Sequence, residues 1–210
     1  MMVMWERAWA SLVWACAMGF FLVKNPRSAR IVYRVQSLAE AALIGGFAVF
    51  SNQPALWLSV LLVVVVKAGA IPELIRRLTR GLEAAYGSQS RFGLASLLIM
   101  GLILTGLSLE VFRSGFPHPV LTGVLFGGWL LAFAQITVRF EVWSQTWAIL
   151  SLETLTSSLM LVILNTLPLL ADAGINLAAL LAAALLAVLS ARVAGTFGTT
   201  DARLLRELKG

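Results

Sequence analysis

Seven apolar stretches recur along the 210-residue chain, and they constrain its fold more than any other feature of the sequence. Each is close to the roughly 20 residues that a helix needs to cross a lipid bilayer. Since 60% of the residues are hydrophobic and 12% are charged, little sequence is left for a soluble domain. We therefore predict one all-α integral membrane domain over residues 1–210, a bundle of about seven transmembrane helices. The predicted spans are 8–23, 31–50, 55–75, 92–112, 120–138, 142–167 and 173–194.

The basic residues predict the orientation of the chain. Thirteen of the 16 Lys and Arg residues fall in connections or the C-terminal tail on one side of the membrane, whereas Arg7 and Arg113 fall on the other and Lys67 lies inside a span. Cytoplasmic loops carry the excess of positive charge in membrane proteins. We therefore predict that the N-terminus is outside and the C-terminus, including the tail 199–210, is in the cytoplasm. The same distribution explains the net charge of +6 without a nucleic-acid partner.

Lys67 lies near the middle of the third predicted span, about 18 Å from one end and 14 Å from the other at helical rise. An ammonium group at that depth costs at least about 2.5 to 3.5 kcal/mol, so it needs a protein interior or a water-filled cavity and an acceptor. Gly69 and Pro72, which has no backbone N–H, predict that the helix is broken or kinked near Pro72. This combination favours a role in ion translocation. The alternative is a neutralised or snorkelling lysine beside an unimportant kink.

Glu153 lies near mid-membrane in the sixth predicted span. Gln145, Thr156 and Ser157 recur near it at helical spacing, which predicts a polar stripe along one helix face. Such a stripe suits a water wire, although hydrogen bonding between helices better explains Thr156 and Ser157. Glu153 is itself predicted to act in ion translocation, because intramembrane carboxylates mark ion pathways.

Glu40 lies in the first turns of the second predicted helix, at a shallower depth than Lys67. Its carboxylate has three candidate partners, namely Lys67 and the nearby Arg30 and Arg34. A local ion pair and a proton-relay role both remain open for it. We include Glu40 with Lys67 and Glu153 as candidate ion-translocation residues.

Cofactor chemistry has few possible ligands in this sequence. Cys16 is the only cysteine and His118 the only histidine, so neither an internal disulfide nor a metal site of cysteine and histidine is predicted. Haem and iron–sulfur groups also lack a ligand set. We expect no cofactor and no metal.

Two spans are predicted to serve packing. Gly123 and Gly127 have the spacing that lets membrane helices approach closely, and Gly128 and Ala132 repeat it. The last span is rich in Ala and Leu and has no ionisable residue before Arg192. We expect it to pack without carrying protons.

Residues spread over most of the chain resemble one family: Tyr33, Gln36, Ser37, Lys67, Pro72, Glu153, Asp201, Leu205, Leu208, Lys209 and Gly210. The sequence resembles component E of hydrogenase-4 and formate hydrogenlyase-type complexes, which is related to the smallest core membrane subunit of respiratory complex I. The resemblance implies a cofactor-free, multi-pass subunit of a bacterial or archaeal cell membrane. It also implies antiporter-like membrane subunits as partners and, through them, a peripheral redox or hydrogenase module that drives H⁺ or Na⁺ movement.

The sequence departs from that family at three places, the first of which is Thr154 and Leu155, where relatives tend to have Asn-Gly after the glutamate. The last span lacks the carboxylate expected near Ala178, and Glu40 stands where an apolar residue is expected. Two main functions therefore remain open. One is an ion-translocating subunit, in a hydrogenase or another complex I-like assembly, and the other is a structural subunit with satisfied ion pairs. A free-standing transporter is disfavoured because the sequence has no internal inverted repeat.

Overall fold

The computed structural model describes residues 2–23, 25–80, 94–116, 118–139 and 141–198, which form helices and short connections. The elements are α1 (Met2–Leu22), α2 (Pro26–Phe50), α3 (Leu56–Leu62), a π-helical segment (Val63–Ala70), α4 (Ile71–Leu78), α5 (Leu94–Val111), α6 (Pro119–Val138), α7 (Val142–Leu164) and α8 (Leu169–Phe197). The predicted all-α class is confirmed. Within these described residues, four helices are long and apolar enough to cross a membrane, namely Leu56–Leu78, Pro119–Val138, Val142–Leu164 and Leu169–Phe197. The tail 199–210 lies outside the described residues.

Asparagine caps set two helix boundaries that differ from the ends of the apolar stretches. The Asn25 side chain accepts a hydrogen bond from the Ser28 N–H at 2.8 Å, and Pro26 occupies the first turn of α2. Both are typical helix-start signals, so α2 begins five residues before the apolar run at residue 31. At its other end, α7 stops at Asn165, which has a positive φ of 54° that Asn tolerates better than most residues.

The helices alternate in direction and give the bundle two ends. At one end, the Gln53 side chain donates a hydrogen bond to the Asn165 carbonyl at 3.2 Å. At the other, the Arg139 guanidinium donates to the Phe21 carbonyl at 2.6 Å and so ties the α6–α7 connection to the last turn of α1. Burial lowers the pKa of Arg139 from its ordinary value. We call the first end of the bundle the Asn165 end and the second the Arg139 end.

The helices pack in two layers. One layer contains α1, α2 and the continuous helix Leu56–Leu78, and the other contains α5, α6, α7 and α8. Across the layers, α1 contacts α6, α2 contacts α7, and Leu56–Leu78 contacts α8. The central core is formed by large side chains of α2, α6 and α7, namely Leu43, Ile44, Phe47, Leu125, Leu155 and Leu161. The helix that carries Glu153 therefore lies in the middle of the bundle, and the helix that carries Lys67 packs at its side against α2 and α8.

Glycines bring α5 and α6 into backbone contact. A Cβ atom on Gly127 would lie 2.9 Å from the Thr105 Cα, and one on Gly123 would lie 3.0 Å from the Leu109 Cα. The Ser108 hydroxyl donates to the Gly123 carbonyl at 2.6 Å across the same contact. The predicted packing role of Gly123 and Gly127 is confirmed, because no larger side chain fits between these backbones without a shift.

One narrow stripe of α8 is buried, and the rest of the helix is largely exposed and apolar. The stripe consists of small or polar residues, namely Asp172, Asn176, Ala179, Ala183, Ala187, Ser190 and Ala194. The predicted span 173–194 has no ionisable residue before Arg192, but its predicted start is wrong. The helix begins at Leu169 rather than at residue 173, and its first turn brings Asp172 into the bundle.

Candidate functional site

A π-helical segment positions Lys67. Such a segment has backbone hydrogen bonds from residue i to residue i+5 and often occurs at functional sites. The Ile71 N–H donates to the Val66 carbonyl, five residues earlier. Pro72 follows in the next turn and has no backbone N–H to donate. The predicted irregularity near Pro72 is thus a π-helical segment that begins at Val63. The helix is not interrupted, because Ala70 and Ile71 keep right-handed helical backbone angles.

Lys67 bridges two carboxylates from two other helices. Its Nζ donates to Glu40 Oε1 and Oε2 at 2.9 and 3.0 Å, and it lies 2.9 Å from Glu153 Oε1. The side chains of Lys67 and Glu40 are fully buried, and that of Glu153 is 19% exposed. We call these three residues the ion cluster. The structure thus brings the three candidate ion-translocation residues together and selects Lys67, rather than Arg30 or Arg34, as the partner of Glu40.

The ion cluster does not balance its own charge. One ammonium faces two carboxyl groups, so the fully ionised cluster carries a net charge of −1 inside the bundle. Uncompensated charge in a low-dielectric interior is costly, because Coulomb energies there greatly exceed those in water. Binding of one proton by either carboxylate makes the cluster neutral. The arrangement can therefore hold one exchangeable proton.

Polar side chains extend from the ion cluster toward the Arg139 end. The buried Tyr33 hydroxyl lies next to Thr154 and within electrostatic range of all three cluster residues. One turn of α2 away, the Gln36 amide donates to the Ser151 hydroxyl at 2.8 Å. On the opposite side of Glu153, one turn of α7 closer to the Asn165 end, Ser157 of the predicted stripe lies beside the Glu40 carboxylate. These groups give α2 and α7 a polar interface around the ion cluster.

The other two residues of the predicted stripe turn toward α6. The Gln145 amide donates to the carbonyls of Ile136 and Arg139 at 3.2 and 2.9 Å, which fixes the α6–α7 connection. The Thr156 hydroxyl accepts a hydrogen bond from Trp129 Nε1 at 3.1 Å. The expected interhelical hydrogen bond of Thr156 is confirmed. Gln145 and Thr156 therefore do not continue a polar line from Glu153.

Three buried polar residues on the opposite side of the cluster were missed from the sequence. Asp172 and Asn176 lie on α8, and Ser59 lies on α3, which contacts α8. Asp172 is within electrostatic range of Glu153. The i, i+4 spacing of an acid and an amide at the start of an apolar run was the available signal, because this spacing places both on one helix face.

Metal-ligand geometry is not found in the described part of the chain. No group of three or more His, Cys, Asp or Glu side chains there is placed to hold a metal ion. Cys16 is buried in α1. His118 is partly exposed at the Asn165 end, with its Nδ1 3.7 Å from Glu6 Oε2. The chemistry of the site is thus that of carboxyl, ammonium and hydroxyl groups.

The fold and the site define an all-α protein with helices of membrane-spanning length around a buried, charge-unbalanced ion cluster. Comparisons with protein-family models, with curated proteins and with solved structures found no match to this chain. The function is therefore inferred from the ion cluster and its surroundings, together with the residues that carry the family resemblance.

Proposed function

We propose that this protein is a membrane subunit of a redox-driven ion-translocating complex, in which the ion cluster relays protons. The observation that carries this proposal is the bridging of two carboxylates by one buried lysine. A purely structural ion pair needs one acid and one base. The second carboxylate gives the cluster a place for a proton, and intramembrane acids of this kind are typical of ion pathways.

The geometry supports different roles for the two acids. Glu40 contacts Lys67 Nζ through both oxygens and is fully buried, so it acts as the fixed counter-ion. Glu153 contacts Nζ through one oxygen, and its two buried oxygens have no hydrogen-bond partner among the described residues. It is therefore the less firmly held acid and acts as the group that takes up and releases the proton. When Glu153 is protonated, Lys67 and Glu40 remain as a neutral pair. The cluster thus alternates between neutral and singly negative states without losing its ammonium.

We further propose seven membrane spans, with the Asn165 end outside and the Arg139 end in the cytoplasm. In addition to the four helices named above, α1, α2 and α5 would cross the membrane, since each packs against one or more of those four. Most described arginines lie at or next to the Arg139 end, which the positive-inside rule places in the cytoplasm. They are Arg27, Arg30, Arg34, Arg76, Arg77, Arg80, Arg139 and Arg192.

The proposed partners follow from the resemblance to hydrogenase-4 component E. Antiporter-like membrane subunits would contact this chain in the cell membrane of a bacterium or archaeon, and a peripheral redox or hydrogenase module would supply the driving force. The subunit would itself bind no cofactor and catalyse no redox step. Purification from native membranes in mild detergent, with nickel and iron analysis, tests this: a monomer without partners would contradict it.

Glu153→Gln tests the relay. The substitution keeps the size of the side chain and removes its titration, so we expect the complex to assemble and to retain redox activity with artificial acceptors. Redox-driven proton translocation in proteoliposomes should fall below about a tenth of the wild-type value, as for the loss of a positioned proton carrier. Glu110→Gln is the matched control, because Glu110 is an exposed acid paired with Arg113 at 3.3 Å.

The outcome separates the relay from the structural alternative. If the cluster only holds helices together, Glu153→Gln should reduce the amount of assembled complex, and the complex that does form should pump normally. Normal translocation by assembled Glu153→Gln complex would therefore contradict the relay and favour a structural subunit. Equal loss in Glu110→Gln would show that the assay does not report on the ion cluster.

A further inference from the structure

Asp172 is a buried acid with an open hydrogen-bonding position. Its side chain is fully buried, and its Oδ1 accepts a hydrogen bond from Asn176 Nδ2 at 3.1 Å. Among the described residues, its Oδ2 has no hydrogen-bond partner, and neither has Asn176 Oδ1. Buried polar atoms are nearly always paired, and each unpaired one calls for an explanation. Packing does not supply it, because most of the buried stripe of α8 is alanine and burial of this helix face does not require an acid.

The depth of Asp172 places it between the ion cluster and the Asn165 end. Asp172 follows the start of α8 by three residues, and Ser59 follows the start of α3 by three residues. Both helices begin at the Asn165 end and contact each other. The Ser59 hydroxyl is buried and has no partner among the described residues. Lys67 lies eight residues beyond Ser59, which is about 12 Å along the helix axis.

Asn176 fills part of this interval. It lies one turn beyond Asp172, or about 6 Å closer to the cluster along α8. Its amide donates both to the Asp172 carbonyl at 2.9 Å and to the Asp172 carboxylate, so it fixes the acid on the buried face of the helix. Asp172 is also within electrostatic range of Glu153. Unpaired polar atoms therefore lead from the Asn165 end toward Glu153.

We propose that Asp172 is a second proton-exchange site, which passes protons between the Asn165 end and the ion cluster, with Asn176 as its positioning residue. In one transfer, the O–H bond at the Asp172 carboxyl breaks and an O–H bond forms at Glu153, with the proton passing along water between them. The Asp172 carboxylate then takes a proton from the aqueous phase at the Asn165 end. This proposal rests on the proposed relay, and it identifies the group that connects the ion cluster to the Asn165 end.

The structural alternative is that Asp172 stabilises the start of α8 as a fixed anion, since negative charge is favourable near a helix N-terminus. Labelling with N,N′-dicyclohexylcarbodiimide separates the two, because this apolar reagent modifies protonated carboxyl groups in apolar surroundings. Wild-type protein in native membranes would be treated across a pH series, and modified residues would be located by peptide mass spectrometry. We expect modification of Asp172 that decreases as the pH rises, and none at the exposed Glu110.

Three labelling results would overturn the proposal. Absence of modification at Asp172 while Glu153 is modified would identify Asp172 as a fixed anion. Modification at Asp172 that does not change with pH would exclude an exchangeable proton. Protection of Asp172 by NaCl, but not by choline chloride, would assign the site to Na⁺ instead. Each result is independent of ion pumping and of the fate of any variant.

Variants test the connection to the cluster. In proteoliposomes we expect Asp172→Asn to lower proton translocation at least about tenfold with redox activity retained, and Asp172→Glu to restore much of it. Normal translocation in Asp172→Asn would overturn the proposal even if Glu153→Gln is inactive. Normal translocation in Glu153→Gln would instead remove the relay itself, while pH-dependent labelling of Asp172 would still establish it as a protonatable site.

Discussion

Lys67→Met is the substitution that most directly measures the charge balance of the bundle. Methionine nearly preserves the length and volume of the lysine side chain but removes the ammonium, so Glu40 and Glu153 are left with no counter-ion at hydrogen-bond distance. Removing one partner of a buried ion pair typically destabilises a protein by about 3 to 5 kcal/mol. Because Lys67 serves two carboxylates, we expect a loss at the upper end of that range.

The assay is reversible unfolding of the purified protein by sodium dodecyl sulfate in mixed micelles. Arg77→Met is the matched control, because Arg77 also pairs with a glutamate, Glu73, at 2.8 Å but is 72% exposed. Exposed pairs of this kind often contribute nothing measurable, so the control should unfold like the wild type. The triple variant with Glu40→Gln, Lys67→Met and Glu153→Gln should recover most of the lost stability, because no charge is left uncompensated.

The pH dependence gives a second check with a defined sign. In Lys67→Met the two buried carboxyl groups bind protons more tightly in the folded protein than in the unfolded chain. Stability of the variant relative to wild type should therefore rise as the pH falls toward about 4 and decrease toward about pH 8. A Lys67→Met protein as stable as Arg77→Met at about pH 8, or a triple variant no better than the single one, would refute the charge-balance reasoning.

Two further predictions concern packing and topology. Gly127→Leu should destabilise the protein by about 1 to 3 kcal/mol in the same unfolding assay, because α5 leaves no space for the side chain. Gly106→Leu should be neutral, since no atom of another helix lies within 4 Å of its Cβ position. Equal effects of the two substitutions would contradict close α5–α6 contact. The topology is tested in a Cys16→Ala background with an impermeant thiol reagent added outside intact cells. The reagent should label Ser114→Cys and leave Arg80→Cys unlabelled. The reverse pattern would contradict the proposed orientation.

The depth of the charged groups could be predicted from the sequence because it depends only on counting residues along apolar runs. Lys67 and Glu153 each lie near the middle of such a run, and both are placed in the ion cluster. Their pairing with Glu40 could not be decided, because it depends on which faces of three helices meet. The sequence left Arg30 and Arg34 as equal partners, and helix packing, which periodicity does not determine, selects Lys67.

Other features were hidden because helix boundaries do not follow hydropathy. The first turn of α8, which ends in Asp172, precedes the predicted span, so Asp172 was excluded from it although it is fully buried. Pro72 correctly indicated an irregular helix, but a missing N–H does not reveal that the freed backbone groups rearrange into a π-helical segment from Val63. Part of the family resemblance, Asp201 to Gly210, falls outside the described residues.

Buried polar groups without hydrogen-bond partners lie on both sides of the ion cluster, and they favour transport over a static bridge. Toward the Arg139 end, buried oxygens of Gln36 and Ser37 have no hydrogen-bond partner among the described residues, and toward the Asn165 end neither has Asp172 Oδ2. A structural cluster would be most stable with one acid removed and with its surroundings apolar, because unpaired buried polar groups each cost about 1 to 3 kcal/mol. The protein instead carries a surplus carboxylate at Glu153 and a further buried acid on the path to one end. That cost is explained if both acids exchange protons, because an acid that must take up and release a proton cannot be permanently neutralised by a partner.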